Sequence, residues 1–383
     1  MEFDFLNPIE TNLLIELKNL SSQHLSSKIV FHTQTDFPDL DKVNIAIIGV
    51  TENRGNQNHL PEVELTNVRQ NLYNLFPGNW SLTIADLGDI LKGNSPDDTY
   101  FALQKVITTL IKRKITPIVI GGSQDLTYAM YRAYDNLEQM VNLVSIDNKF
   151  DLGKDDNTIL SNSYLSKMIV NEPNNLFNYS NIGYQTYYNS QEEIDLIEKL
   201  YFDAYRLGDV CNNITIAEPV LRDADLVSID LNSVMSSYSA NFEQFQPNGF
   251  NGKEICALSR YAGMSDKVSS FGIFNHFSTK GEAVLIAQII WYFIEGIHFR
   301  ANEYPFGSKE NYLKYIVPIE NEEVIFYKSN KTGRWWIEIP FFANTHNKLK
   351  KATLLPCTHD DYLVACNEEL PERWWKAQKK NII

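Results

Sequence analysis

Short apolar runs alternate with longer stretches of helical spacing along most of the chain. Asn44–Val50, Ser81–Asp86, Thr116–Ile120 and Asn142–Ile146 are β-rich, and each runs into glycine or a carboxylate. Four more such runs follow at Asn181–Tyr184, Asp203–Leu207, Asp223–Ile229 and Val268–Phe274. Between them, Phe101–Arg113, Asp125–Tyr134, Ser161–Val170, Ser190–Leu200, Gly252–Ala262 and Lys280–Phe299 carry the apolar spacing of helices. Ser190 with Glu193 forms a capping-box pattern, and the basic residues closing Phe101–Arg113 suit a helix C-terminus. Strands alternating with helices predict an α/β fold: a three-layer arrangement around a mostly parallel sheet of about eight strands.

The ends of the chain read differently. Residues 1–40 form an N-terminal helical extension, with Met1–Thr33 an amphipathic helix that ends in the polar stretch Ser21–Ser27. Residues 41–300 hold the α/β domain, and 301–383 an addition packed on it. In that addition Glu323–Ser329 and Arg334–Ile339 are joined by Asn330-Lys331-Thr332-Gly333, which predicts a hairpin ahead of a final helix. Lys376–Lys380 reads as a solvated tail. The pairs Trp335–Trp336 and Trp374–Trp375 leave two readings open. One is a surface for a protein partner; the other is packing of the addition onto the main domain.

Bulk properties remove several function classes. Of 383 residues 44% are hydrophobic, ample for a core. A net charge of −14 argues against nucleic acid, which needs clustered Lys and Arg. No stretch approaches an uninterrupted membrane span, since Gln288 and Glu295 break the apolar run Ala283–Ile297. The opening residues lack the pattern of a secretory signal, and the four cysteines are far apart without metal-ligand spacing. Together these point to a reducing cytoplasm.

The chemistry concentrates between Pro117 and Gly153. One apolar run there ends at Gly121-Gly122, the next at Asp147 and Asp151, and a later one at Asp230 followed by Asn232. In a parallel sheet such strand ends share one rim, where ligands bind. Carboxylates so placed can converge on one cation.

In this order the motifs resemble those of the ureohydrolase superfamily (arginase, agmatinase, formimidoylglutamase), over roughly Asn44–Phe299 and closest to the formimidoylglutamase-like branch. Asp86-Leu87-Gly88-Asp89 is similar to an early turn of that family. The segment Pro247–Glu254 is similar to its glycine-rich approach to a substrate-binding glutamate, which makes Glu254 the candidate for gripping a cationic amidine. The resemblance implies the arginase-type fold, two manganese ions and hydrolysis of C–N bonds.

The same resemblance exposes three departures. Where the family continues Gly-Gly-Asp-His, this chain has Gly121-Gly122-Ser123-Gln124; where it has Asp-Ala-His-x-Asp, this chain puts Lys149 for the histidine; where it has Asp-x-Asp, the second carboxylate is Asn232. Three aspartates against one lysine leave two uncompensated negative charges. Either one divalent ion (magnesium, manganese or calcium) sits on Asp147, Asp151, Asp230 and the Gln124 carbonyl, with Lys149 standing where a second metal would be, or no metal binds and Lys149 pairs with the aspartates. A dinuclear manganese site is not expected. The main reading is therefore a pseudoenzyme, a binding or scaffold protein that meets its partner through the C-terminal aromatic segment or as a homo-oligomer. The alternative is an amidine or guanidine hydrolase of formimidoylglutamase type with a single metal or an altered site.

Overall fold

The computed structural model describes residues 3–56, 63–137, 139–154, 158–277, 279–305, 309–320, 322–340 and 353–382. The eight apolar runs become eight adjacent parallel strands. In chain order they are β3 (Ile45–Val50), β4 (Ile84–Ile90), β5 (Thr116–Ile120), β6 (Val141–Ile146), β7 (Leu176–Tyr184), β8 (Asp203–Arg206), β9 (Leu226–Asp230) and β10 (Ser270–Phe274). The sheet runs β4-β3-β5-β10-β9-β6-β7-β8. Its central strands are apolar on both faces because helices cover both. Ile45 and Ile47 point into one apolar cluster with the helices Gly252–Gly263 and Lys280–His298. Ala46 and Ile48 point into another with Pro96–Lys112, Leu126–Arg132 and Tyr164–Val170. No helix among the described residues is long and apolar enough to cross a membrane.

Among the described residues the sheet has ten strands, because the N-terminal segment supplies two that its pattern did not suggest. β1 (Leu6–Asn7) pairs antiparallel with β4, and β2 (Ile29–Phe31) pairs parallel with it. The expected Met1–Thr33 helix is confined to Thr11–Lys18. The unpaired N–H and C=O groups of an outer strand favour this pairing over a longer helix. Strands of two and three residues are also too short to show a period.

A second sheet follows, with β11 (Tyr312–Ile319), β12 (Glu322–Ser329), β13 (Trp335–Ile339) and β14 (Thr353–Cys357), all antiparallel. The hairpin joins β12 to β13 as the sequence predicts. Trp335, Trp336 and Trp374 are buried within this sheet's own apolar clusters, so these rings are packing and not surface. Lys376 and Lys380 are not a solvated tail. From the Glu372–Ile382 helix their two ammonium groups stand 3.5 and 3.6 Å from the carboxylate of Asp203, at the start of the edge strand β8. Burial and that carboxylate's partners act in opposite directions on Asp203, and the lysines hold its pKa below the usual range.

Arg222 joins the two sheets. From the helix Ala217–Asp223 its guanidinium donates to the carbonyls of Trp335 and Cys357 at 3.1 Å each, and lies 4.5 Å from the Trp336 ring centre. Removing one partner of such a buried charged arrangement strands the others. Arg222→Ala is expected to destabilise the protein by about 3 kcal/mol, read as a lower urea midpoint.

Candidate active site

Four neighbouring strands, β5, β10, β9 and β6, end side by side, and their first residues beyond the sheet form one polar cluster. The turn after β5 needs glycine. A Cβ on Gly122 would fall 2.0 Å from the Glu52 carbonyl oxygen, and the chain uses that proximity: the Ser123 N–H donates to the same oxygen at 3.0 Å. The next residue, Gln124, is thereby buried beneath the rim. β10 contributes Asn275, in the left-handed region at φ 57°, and β9 contributes Asp230. β6 leads into Asp147 and on to Asp151, also left-handed at φ 56°. Asn and Asp tolerate this conformation better than other side chains, and such residues gather at functional sites.

Hydrogen bonds link the four strand ends. Gln124 donates from Nε2 to Asp147 Oδ2 at 2.7 Å, and its N–H donates to Asn275 Oδ1 at 3.2 Å. Asn275 Nδ2 donates to Asp230 Oδ2 at 2.9 Å. The backbone N–H groups of Lys149 and Asn232 donate to Asp147 Oδ1 at 3.0 Å and Asp230 Oδ1 at 2.7 Å. Asn148 Nδ2 reaches the Asn232 carbonyl at 2.8 Å, tying the two acidic motifs together. Further amides hold the 147–151 loop from outside: Asn181 donates to the Lys149 carbonyl at 2.7 Å, and Asn189 accepts from the Phe150 N–H at 2.8 Å.

The electrostatics of this cluster are unusual. Asp147, Asp151 and Asp230 are 1%, 6% and 6% exposed. Burial, then the neighbouring Asp147 and Asp230 carboxylates, push Asp151 well above the carboxylate range. Burial and the Asp147 charge push Asp230 up to about 8. Asp147 also rises through burial, countered first by the Gln124 hydrogen bond. Among the described residues Lys149 makes no ion pair with these carboxylates; its ammonium lies 5.6 Å from the Tyr188 ring centre. Asp151 Oδ2 is buried with no hydrogen-bond donor.

These observations bear on a divalent ion. No group of three His, Cys, Asp or Glu side chains among the described residues is already set as a ligand cluster. The oxygen donors and the unmet Asp151 Oδ2 nevertheless suit a hard cation, which would relieve the charge that now drives protonation. Gln124 presents its amide nitrogen, not its carbonyl, to Asp147.

A cavity of about 630 Å³ opens on this cluster. Asp151, Asp230, Lys149 and Asn232 line it, while Asp147 and Gln124 sit behind its wall. Glu254 lies elsewhere. It completes a capping box with Asn251 at the start of the Gly252–Gly263 helix, and burial together with its charge raises the pKa of the Cys211 thiol to about 11. His276 is buried, and desolvation lowers its pKa to about 4, so it is a neutral ring. Tyr164 stands behind the site, where its hydroxyl accepts from Gln124 Nε2 at 3.3 Å. Asn275 is the residue that sequence reasoning missed. Its place immediately after a β-run, like Asp147 and Asp230, is the signal that marks it.

A profile of the arginase family matches residues 45–275. The formimidoylglutamase of Streptococcus gordonii is 24% identical over 319 residues, covering 76% of this chain and 92% of that protein. That of Lysinibacillus sphaericus is 24% identical over 217 residues, or 54% of this chain and 66% of that one. Among solved structures, Trypanosoma cruzi formiminoglutamase with Mn2+ superposes with a TM-score of 0.61 at 17% identity, covering 69% of this chain and 100% of that one. Formimidoylglutamase from Bacillus subtilis gives 0.60 at 15% identity, covering 71% and 91%. At these identities the structural likeness establishes the fold.

The raised carboxylates carry a pH signature. A carboxyl group whose folded pKa exceeds its unfolded value stabilises the fold at low pH, and that contribution is lost as pH rises toward the folded value. For Asp230 the window runs from the ordinary aspartate value of 3.8 to about 8. Metal-free protein is therefore expected to lose thermal stability as pH rises across this window, followed by calorimetry. Asp230→Asn should flatten the slope.

Proposed function

The chain belongs to the arginase family, and on that footing we propose that it hydrolyses linear amidines, in the manner of a formimidoylglutamase, with one divalent cation on Asp147, Asp151 and Asp230. One observation carries this reading. Three buried carboxylates stand at neighbouring strand ends, two of them lining an open cavity; Asp151 Oδ2 has no hydrogen-bond donor, and Lys149 makes no ion pair with them among the described residues and lies over the Tyr188 ring. The formimidoylglutamases similar to this chain support the choice of reaction. Its four cysteines are free thiols, which supports a place in the cytoplasm.

The reaction adds water to the amidine carbon and breaks the bond to the substituted nitrogen, giving a primary amine and an amide. A bound divalent cation supplies Lewis acidity and makes water a better nucleophile. The residues of the chain do the rest. Gln124 and Asn275 fix the orientation of Asp147 and Asp230 through charge-assisted hydrogen bonds. The link from Asn148 to the Asn232 carbonyl keeps the two acidic loops at one spacing. Lys149, an ammonium on the cavity wall, is placed to give a proton to the departing amine.

A second reading rests on a different observation. The amide nitrogens of Gln124 and Asn275 already satisfy Asp147 and Asp230, where a more highly charged metal site would need those oxygens free. A protein so arranged binds an amidinium cation directly and does not hydrolyse it.

Turnover separates the two. Purified protein with manganese is offered formiminoglutamate, agmatine and arginine, and released formamide, ammonia and urea are measured. The hydrolase reading expects product from at least one of them, reduced by about 100-fold in Asp151→Asn. Product absent from both proteins would favour the binding protein, and product equal in the two would place any hydrolysis outside these carboxylates.

A further inference from the structure

Above the carboxylates the cavity wall is largely uncharged. Half of its lining side chains are carboxamides, among them Asn56, Asn162, Asn232, Gln244 and Gln246. Lys149 is the one basic side chain in the wall among the described residues, and Asp147 and Asp151 flank it in sequence. Two aromatic rings, Tyr188 and Phe245, complete the lining.

These rings are held out at the mouth. Phe245 is 62% exposed and stacks beside Phe242, itself 67% exposed, with ring centres 6.5 Å apart. The segment that carries them is anchored: the Gln246 N–H donates to Ser236 Oγ at 2.7 Å, and the Ser236 N–H donates to the Gln246 carbonyl at 2.8 Å. Tyr188 reaches over to the same segment, its hydroxyl donating to Gln246 Oε1 at 3.0 Å. Exposed apolar rings grouped at a pocket mouth mark a place where a ligand covers them.

The tail of the ligand must suit this wall. A tail with two carboxylates would bring two anions toward three aspartates and find one lysine, so much of its hydration would be lost without replacement. A flat, uncharged tail loses little hydration. It gains the faces of the rings and meets carboxamides able to donate and accept at its polar edges. We infer that the cavity selects an amidine with an uncharged, planar tail, an aryl or amide-bearing group lying on Tyr188 and Phe245, in preference to an amino-acid tail with free carboxylates. This inference rests on the amidine reading of the carboxylate floor.

Calorimetric titration of the full chain, with and without manganese, tests it with three probes. Acetamidine carries the amidine without a tail, benzamidine adds a planar uncharged tail, and formiminoglutamate adds a dicarboxylate one. Benzamidine is expected to bind at least about tenfold more tightly than either of the others. Tyr188→Leu and Phe245→Leu should each weaken benzamidine by roughly three- to tenfold, and Phe245→Leu, which touches none of the floor residues, should leave acetamidine and manganese binding unchanged. Acetamidine binding without any gain for benzamidine, or a gain insensitive to both substitutions, would overturn the tail assignment and leave the floor intact. Failure of every amidine to bind would overturn the floor and the tail together.

Discussion

Everything at the rim of the sheet answers to one constraint: three carboxylates are buried together with too little positive charge beside them. Coulombic repulsion in a medium less polarisable than water makes full ionisation of all three costly. The fold meets this in part with hydrogen bonds. Gln124 and Asn275 donate amide protons to Asp147 and Asp230, and backbone N–H groups add to both. Asp151 is left with a buried oxygen that has no donor. A proton or a cation completes it, and the rise of Asp230 to about 8 shows how strongly the metal-free cluster favours the proton.

The parallel sheet makes such a cluster possible. Four strands with their C-termini at one edge set four short polar turns next to one another, although these turns lie far apart in sequence. Each of the three departures from the family's motifs has a place in that frame. Gln124 becomes a donor to Asp147, Asn232 keeps its backbone bond to Asp230, and Lys149 faces the cavity beside Tyr188. The departures thus leave a connected site.

Much of this was legible beforehand, for reasons that can be stated. Apolar runs buried on both faces are unmistakable, so the central strands β3, β5, β10, β9 and β6 stand where the pattern puts them. The place of Asp147 and Asp230 at the rim was legible because each closes an apolar run. The N-terminal strands β1 and β2 were hidden, since two or three residues carry no period and their pairing is dictated by β4. The role of Lys376 and Lys380 was hidden because their partner, Asp203, lies more than 150 residues away along the chain. Glu254 shows the converse risk: a motif position that suggests a ligand contact is occupied by a capping box, which the same Asn251-to-Glu254 spacing also spells.

The number of ions bound is the most direct test of the charge argument. Manganese bound per chain, measured by equilibrium dialysis with elemental mass spectrometry on protein stripped of metal beforehand, is expected to saturate at about one and to fall sharply in Asp151→Asn. Binding of two ions, or of none at millimolar manganese, would contradict the account: two would mean that one cation does not meet the cluster's charge, and none that amides and protons alone keep the three carboxylates together.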